Sequence, residues 1–212
     1  MHTSEKQDVI NRVVGYYHQK LKETPLALEY LKDRGIVHPR VIDQFQIGTS
    51  DSSLSKILPA AKTKQGKQIR DQLKELGILD KKGQETFKGC MTVPIVSGQG
   101  ETIEIYGKRA KDVWLDEGRF GFFNLEALES KELILCSSVM DALSFWIHGF
   151  ENTLVSFPVS EISDGFKNLL VRYQIQVITF ADPNCDWDLL SSGMSSPKPN
   201  RNMASRNGET PI

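Results

Sequence analysis

Paired cysteines are missing from this sequence. Its 212 residues include three cysteines, Cys90, Cys136 and Cys185, and no two of them form a Cys-x-x-Cys pair. A zinc ribbon uses such pairs to supply its four ligands, so this kind of structural metal site is excluded. Cysteines that lie so far apart are also typical of a reducing compartment rather than of a disulfide-rich secreted domain.

Long apolar runs and an excess of one charge are missing as well. No stretch is long enough to cross a bilayer, and the first residues contain no signal-peptide core, so we expect a cytoplasmic protein without a membrane partner. The net charge of −1 gives no overall attraction to nucleic acid, and any such binding would depend on a local basic patch. The sequence does contain 39% apolar residues, enough for the core of one ordinary domain or two small ones.

The most regular stretch, residues 131–157, predicts a strand, a helix and a second strand. An apolar run is followed by two serines that can cap a helix, and apolar residues then recur at helical spacing until Gly149. Such a unit pairs its strands in parallel through a right-handed crossover. Ligands of parallel sheets bind beyond the carboxyl ends of the strands, so we expect chemistry at Ser137, Ser138 and Asp141.

Helical periodicity predicts a small helical bundle near the N-terminus. Apolar residues recur every three or four positions over residues 8–22, and Thr24-Pro25 starts a second helix that ends at Gly35. His38-Pro39 opens a third short helix, and an extended piece follows it.

Two strand signals, residues 87–95 and 101–109, flank the turn at 97–100 and predict a β-hairpin. The second strand ends in Gly107-Lys108-Arg109, and Lys88 lies in the first. Two adjacent cations after a glycine suit a phosphate, because arginine offers a bidentate fork and glycine allows close approach of the backbone. Lys88, Lys108 and Arg109 are therefore candidate nucleic-acid or phosphate ligands. An exposed, charged strand end is the alternative interpretation.

Two other stretches have a nucleic-acid-binding interpretation and a simpler one. Residues 56–76 are basic and amphipathic, but acidic residues interrupt the charge, which favours a solvated helix face. Phe120, Phe122 and Phe123 are able to stack bases, although such a cluster more often packs in a core. We favour the simpler interpretation of both stretches.

Several of these elements, taken in order, resemble the N-terminal subdomain of bacterial-type DNA primases. The similar segments are Tyr17-His18-x-x-Leu21, then Ala27-Leu28-x-Tyr30-Leu31-x-x-Arg34-Gly35-Ile36, then Val41-Ile42-x-x-Phe45-x-Ile47-Gly48, the strand from Phe87 and the strand ending in Tyr106-Gly107-Lys108-Arg109. Cys90 stands where the family has an arginine. The zinc ribbon that usually precedes this core has no counterpart in these residues, so no zinc is expected.

Leu135-Cys136-Ser137-Ser138-Val139-Met140-Asp141-Ala142-Leu143 resembles the first motif of the Toprim domain, the metal-binding nucleotidyl-transfer module of these primases and of topoisomerases. A helix over residues 160–173 and a third strand over 176–182 would continue its Rossmann-like parallel sheet. The resemblance implies an α/β fold with a helical and small β N-terminal subdomain over 1–128, a partial Toprim domain over 129–184 and a tail over 185–212. The tail is rich in helix- and strand-breaking residues, so we expect it to be disordered. Because the resemblance stops in mid-domain, a truncated protein is expected.

The acidic positions of the motif depart from the family pattern. Ser137 stands where the family has its catalytic glutamate, with Asp141 following in the same motif. The third strand ends in Asp182-Pro183-Asn184, where the family has an Asp-x-Asp pair that binds the divalent metal. The resemblance thus implies catalytic positions at Ser137 and Asp141 and metal ligands at Asp182 and Asn184. One carboxylate beside a neutral amide predicts weak or absent binding of Mg²⁺ or Mn²⁺.

The function implied by the resemblance is that of a DNA primase-like protein of DNA replication, in which Toprim nucleotidyl transfer makes RNA primers on single-stranded DNA. An active form would be a magnesium-dependent DNA-directed RNA polymerase that binds ribonucleotides and works beside a replicative helicase. A catalytically inactive nucleic-acid-binding or replisome-binding module is one alternative, and a relic of a mobile element is another. All three functions are compatible with the sequence.

Overall fold

A computed structural model of the chain describes residues 3–36, 38–109, 112–114, 121–158, 162–181 and 198–199. Contacts divide the chain into two compact units. The first contains residues 1–97 and 101–117, and the second contains residues 98–100 and 118–212. The boundary predicted at residue 128 therefore lies inside the second unit.

The first unit combines helices with a small antiparallel sheet. Its elements are α1 (Thr3–Lys22), α2 (Pro25–Lys32), α3 (Pro39–Gln44), β1 (Gly48–Thr49), α4 (Leu54–Ile57), α5 (Lys64–Glu75), β2 (Met91–Val96), β3 (Thr102–Arg109) and β4 (Asp112–Trp114). Strand β2 pairs antiparallel with β1 and with β3, and β3 pairs antiparallel with β4. The predicted helices and β-hairpin of the α/β fold are thus confirmed.

Helix α1 provides the central apolar face of the first unit. Ile10, Val13, Val14 and Tyr17 recur at helical spacing, are buried, and belong to one core cluster with Ile105 of β3. The helix begins at Thr3 rather than at Asp8, because periodicity reveals only the buried face of a helix. Its first turns are polar and make solvent-exposed contacts such as the Lys6–Glu75 ion pair at 3.3 Å.

The second unit contains a mixed sheet with a parallel centre. Its elements are β5 (Gly121–Phe123), a 3-10 helix (Leu125–Glu129), β6 (Glu132–Leu135), α6 (Val139–Ile147), β7 (Thr153–Phe157), α7 (Asp164–Arg172), β8 (Val177–Phe180) and β9 (Lys198–Pro199). Strand β6 pairs in parallel with β7 and with β8, and β5 pairs antiparallel with β7. The strand–helix–strand unit expected over residues 131–157 is confirmed, including its parallel pairing.

Strand β8 has a neighbour on each side. It pairs with β6 on one side, and Val177 and Ile178 pair in parallel with Lys198 and Pro199 of β9 on the other. These last two residues belong to the segment expected to be disordered, most of which lies outside the described residues. Disorder of that segment stays a prediction. Among the described helices, none is long and apolar enough to cross a membrane.

Candidate nucleic-acid interface

The first unit brings Lys88, Lys108 and Arg109 together at the end of the hairpin. Strand pairing places Lys108 opposite Met91, at the start of β2, and Lys88 precedes that strand in the chain. The Arg109 guanidinium donates a hydrogen bond to the Lys88 carbonyl oxygen at 3.1 Å. Lys88 and Arg109 are exposed, and Lys108 is half-buried. We call these three residues the strand-end cluster. Its cations can contact the oxygens of a phosphate chain at the surface.

Gly107 leaves room for the ring of Phe87. A Cβ at Gly107 would lie 2.6 Å from Cδ1 of Phe87 and 3.5 Å from Cβ of Cys90. The Phe87 ring is buried in the core of this unit, so it fills the space that the missing side chain leaves. Packing thus accounts for glycine at this position, the approach of a phosphate to its backbone stays a prediction, and the cations beside it are placed at the strand end as expected.

A buried carboxylate supports the segment that carries Lys88. Glu85 Oε2 accepts hydrogen bonds from the Ser50 hydroxyl at 2.6 Å and from the Tyr17 hydroxyl at 3.2 Å. The Ser50 carbonyl in turn accepts a hydrogen bond from the Gly89 amide at 2.8 Å. Burial, and then the negative charge of Glu85, raise the pKa of Tyr17 well above its ordinary value, so the phenol remains a donor. We call Tyr17, Ser50 and Glu85 the buried polar network.

A cleft of about 420 Å³ lies in the first unit next to two members of the strand-end cluster. It is lined by Leu21, Thr24, Leu26, Ala27, Tyr30, Leu31, Gly48, Thr49, Ser50, Asp51, Gly89, Met91, Lys108 and Arg109. The sequence indicates the α2 residues only as packing positions and does not reveal this cleft. The exposure of Leu26, which is 78% accessible on an otherwise amphipathic helix, is visible only once the fold is known.

The basic stretch and the phenylalanine cluster follow their simpler interpretations. The basic side chains of α4 and α5 are exposed or half-buried, while Leu73 of α5 packs into the core. Phe122 and Phe123 of β5 are buried, and the Phe122 ring lies 5.5 Å from that of Phe166. Neither phenylalanine is available to stack a base. Phe120 lies outside the described residues.

In the second unit, Ser138 and Asp141 cap helix α6. The Ser138 hydroxyl accepts a hydrogen bond from the Asp141 amide at 3.1 Å and donates one to Asp141 Oδ2 at 2.6 Å. The first bond is a serine N-cap, and the second fixes the Asp141 carboxylate against the capping hydroxyl. Ser137, which directly precedes the cap, is half-buried. The geometry thus gives Asp141 a structural role, and the catalytic positions Ser137 and Asp141 stay predictions.

Cys136 directly precedes the two serines at this helix start and is buried. Burial, and then the Asp141 carboxylate, raise the pKa of the Cys136 thiol to about 12, so the thiol is neutral at physiological pH. Within the described ranges, no three side chains of histidine, cysteine, aspartate or glutamate come together as a metal site. Asp182 and Asn184, the predicted metal ligands, lie outside the described residues.

Comparison with known families decides the identity of the first unit. Residues 16–116 match the sequence model of the DNA primase catalytic core, N-terminal domain. The chain carries this primase domain. The matched range contains the strand-end cluster, the buried polar network and the cleft. No curated protein sequence shows a significant match to the chain.

Solved structures of bacterial primases share the fold. The catalytic core of DnaG matches with a TM-score of 0.69 and 19% identity, over 86% of this chain and 65% of that one. A DnaG primase catalytic domain bound to single-stranded DNA gives a TM-score of 0.68 and 18% identity, over 88% and 68%. The Aquifex aeolicus primase, with its zinc-binding and RNA polymerase domains, gives 0.68 and 23%, over 85% and 48%. The chain therefore has the primase-core fold and spans about two thirds or less of the primase chains that it matches.

Proposed function

We propose that this chain is a DNA primase-like protein of DNA replication whose first unit holds single-stranded DNA on the strand-end cluster. The observation that carries the proposal is the position of Lys88, Lys108 and Arg109 at one end of the hairpin, inside the primase-core domain. Cations at a surface edge attract phosphates by a term that does not depend on base sequence. The similar primase domain that binds single-stranded DNA supports this choice of ligand.

We also propose that the second unit is a partial Toprim domain with little or no nucleotidyl-transfer activity of its own. Ser137 offers a neutral hydroxyl where the resemblance implies a general acid or base, and Asp141 is engaged by the cap of α6. Asp182 and Asn184 would hold Mg²⁺ or Mn²⁺ weakly, because only one of them carries a charge. Ribonucleotides and a replicative helicase are the partners that an active form would need.

The salt dependence of DNA binding tests the first proposal. Fluorescence anisotropy with a labelled single-stranded oligonucleotide measures the affinity over a range of salt concentrations. Because each phosphate contact releases counterions, removal of one cation by Lys108→Ala or Arg109→Ala lowers the slope of log K against log salt by roughly 0.7. The double variant lowers it by roughly twice that amount.

A matched control uses two exposed lysines outside the strand-end cluster. Lys81 and Lys82 are adjacent in sequence and exposed, so Lys81→Ala/Lys82→Ala removes the same charge as the double variant. This control variant is expected to show the same slope of log K against log salt as the unmodified protein. Equal slopes for the cluster variant and the unmodified protein, or no binding at low salt, would show that the cations are only an exposed strand end.

A further inference from the structure

The cleft of the first unit combines an apolar wall with positive charge. Leu21, Ala27 and Met91 contribute apolar surface, and Lys108 and Arg109 also line it. Its volume of about 420 Å³ lies in the range of small-ligand sites, which is roughly 300–1,000 Å³. Two cations of the strand-end cluster therefore border the same cleft as these apolar side chains.

Tyr30 is one of the residues that line the cleft. Its hydroxyl is buried and makes no hydrogen bond to any part of the chain that the structure describes. The ring is held in place by Arg34, whose guanidinium carbon lies 3.6 Å from the ring centroid, and which donates a hydrogen bond to the Tyr30 carbonyl at 3.2 Å. A buried polar atom without a partner is unfavourable, so a hydrogen bond from a group bound in the cleft would stabilise the Tyr30 hydroxyl.

We propose that this cleft accepts one unstacked nucleobase of the bound strand, while the adjoining phosphates lie on Lys108 and Arg109. The inference rests on the proposed function, since it concerns the same strand. A base fits this lining because its faces are apolar and its edge carries donors and acceptors, one of which would pair with the Tyr30 hydroxyl.

The negative charge in the cleft favours a base over a free phosphate. Asp51 lines the cleft, and its carboxylate accepts hydrogen bonds from the Ser53 amide, at 2.9 Å, and from the Ser53 hydroxyl. A carboxylate repels a phosphate, yet it accepts a hydrogen bond from the exocyclic amino group of a base. The neutral base therefore suits the cleft, and the phosphates suit the cations.

The test compares a labelled oligodeoxycytidine with a strand of equal length in which every base is replaced by an abasic site. The unmodified protein is expected to bind the abasic strand about fivefold or more weakly, because base stacking and pairing are lost. Ala27→Leu fills the cleft without changing charge, and it should remove most of this difference while leaving the affinity for the abasic strand unchanged. Ala61→Leu makes the same substitution at an exposed position outside the cleft and should behave like the unmodified protein.

A second variant covers the case in which Ala27→Leu does not fold. Tyr30→Phe removes only the hydroxyl, so it should weaken binding of the base-containing strand about three- to tenfold, with no loss of thermal stability and no change for the abasic strand. Equal binding of both strands by the unmodified protein, or a strand difference that survives in Ala27→Leu and Tyr30→Phe, overturns the base-binding cleft alone. Absence of salt-dependent binding for both strands overturns the proposed function and this inference with it.

Discussion

Replacement of Gly107 by alanine tests the packing that places the strand-end cluster. The added Cβ would lie 2.6 Å from Cδ1 of Phe87, a separation that real Cβ atoms essentially never show. Because Phe87 is only 5% exposed, its ring has to shift within a filled core. Overpacking of this kind costs about 1–3 kcal/mol of the free energy of unfolding. For a chain of this length the melting temperature should fall by about 2–12 °C.

The same substitution at Gly15 provides the control. Gly15 lies within α1, is exposed, and has no other atom within 4 Å of the position that a Cβ would take. Alanine there gains helix propensity and should raise the free energy of unfolding by about 0.5–1 kcal/mol. The two Gly→Ala substitutions are thus expected to change the free energy of unfolding in opposite directions. Differential scanning calorimetry of the full chain would measure both changes.

A second substitution tests whether the contact with Phe87 causes the loss of stability in Gly107→Ala. Phe87→Leu shortens the ring that Gly107→Ala would contact, so the double variant should lose less stability than the sum of the two single variants, by about 0.5 kcal/mol or more. A Gly107→Ala protein that melts at the temperature of the unmodified chain, or a strictly additive double variant, would refute the packing account of this glycine.

Three other outcomes are expected. Ser138→Ala should destabilise the second unit by about 0.5–2 kcal/mol in urea unfolding because it removes the α6 cap, whereas Ser137→Ala should have little effect; equal losses would contradict the assignment of the cap. The raised pKa values of Tyr17 and Cys136 mean that both groups keep their protons in the folded state where the unfolded chain loses them. Stability should therefore be full below about pH 8. It should fall by up to about 1.4 kcal/mol per pH unit above about pH 9, where the unfolded Cys136 thiol ionises, and by up to as much again above about pH 10, where the unfolded Tyr17 phenol ionises; a flat profile to about pH 11 would exclude this linkage. Finally, the unmodified chain should make no primers from labelled ribonucleotides, and Ser137→Glu with Asn184→Asp should raise the affinity for Mg²⁺ in calorimetric titration; robust synthesis by the unmodified chain would mean that the active site lies elsewhere.

Secondary structure follows from the sequence wherever one face of an element is buried. The α1 face, the β2–β3 hairpin and the parallel β6–α6–β7 unit all carry apolar periodicity, and all three are present. Boundaries are less predictable because local turns end a strand before its apolar pattern does. Strand β2 begins at Met91 instead of Phe87, since Gly89 adopts a φ of +70° and its amide bonds to Ser50 rather than to a ladder partner.

Whether a residue at a helix start forms its cap hydrogen bond also depends on tertiary context. Ser138 caps α6 as its position suggests, but Thr24, with an equally suitable side chain, makes no cap bond to α2. Its hydroxyl donates instead to the Lys20 carbonyl at 2.7 Å, at the end of α1. Local sequence offers both hydrogen bonds, and the tight connection between the two helices selects one.

The candidate site divides into a predictable and an unpredictable part. Adjacent cations after a strand signal are visible in the sequence, so Lys108 and Arg109 can be chosen directly. The contribution of Tyr30 and the support from Glu85 are not visible there, because both depend on contacts between segments far apart in the chain. A carboxylate in a loop-like stretch is expected to be an exposed charge, and only the fold shows that it is buried.

The buried polar network affects how the chain matures during synthesis. Tyr17 and Glu85 are 68 residues apart in sequence, yet they share one hydrogen bond. At about 5–20 residues per second, Tyr17 of helix α1 is made roughly 3–14 s before its carboxylate partner. During that interval the apolar stripe that carries Tyr17 lacks part of its native cover, because Phe87, Cys90 and Ile105 of the same core cluster are made after Glu85. The nascent first unit should therefore be a target for chaperones until the hairpin emerges. Folding of this unit should be completed only then, in one cooperative step rather than helix by helix.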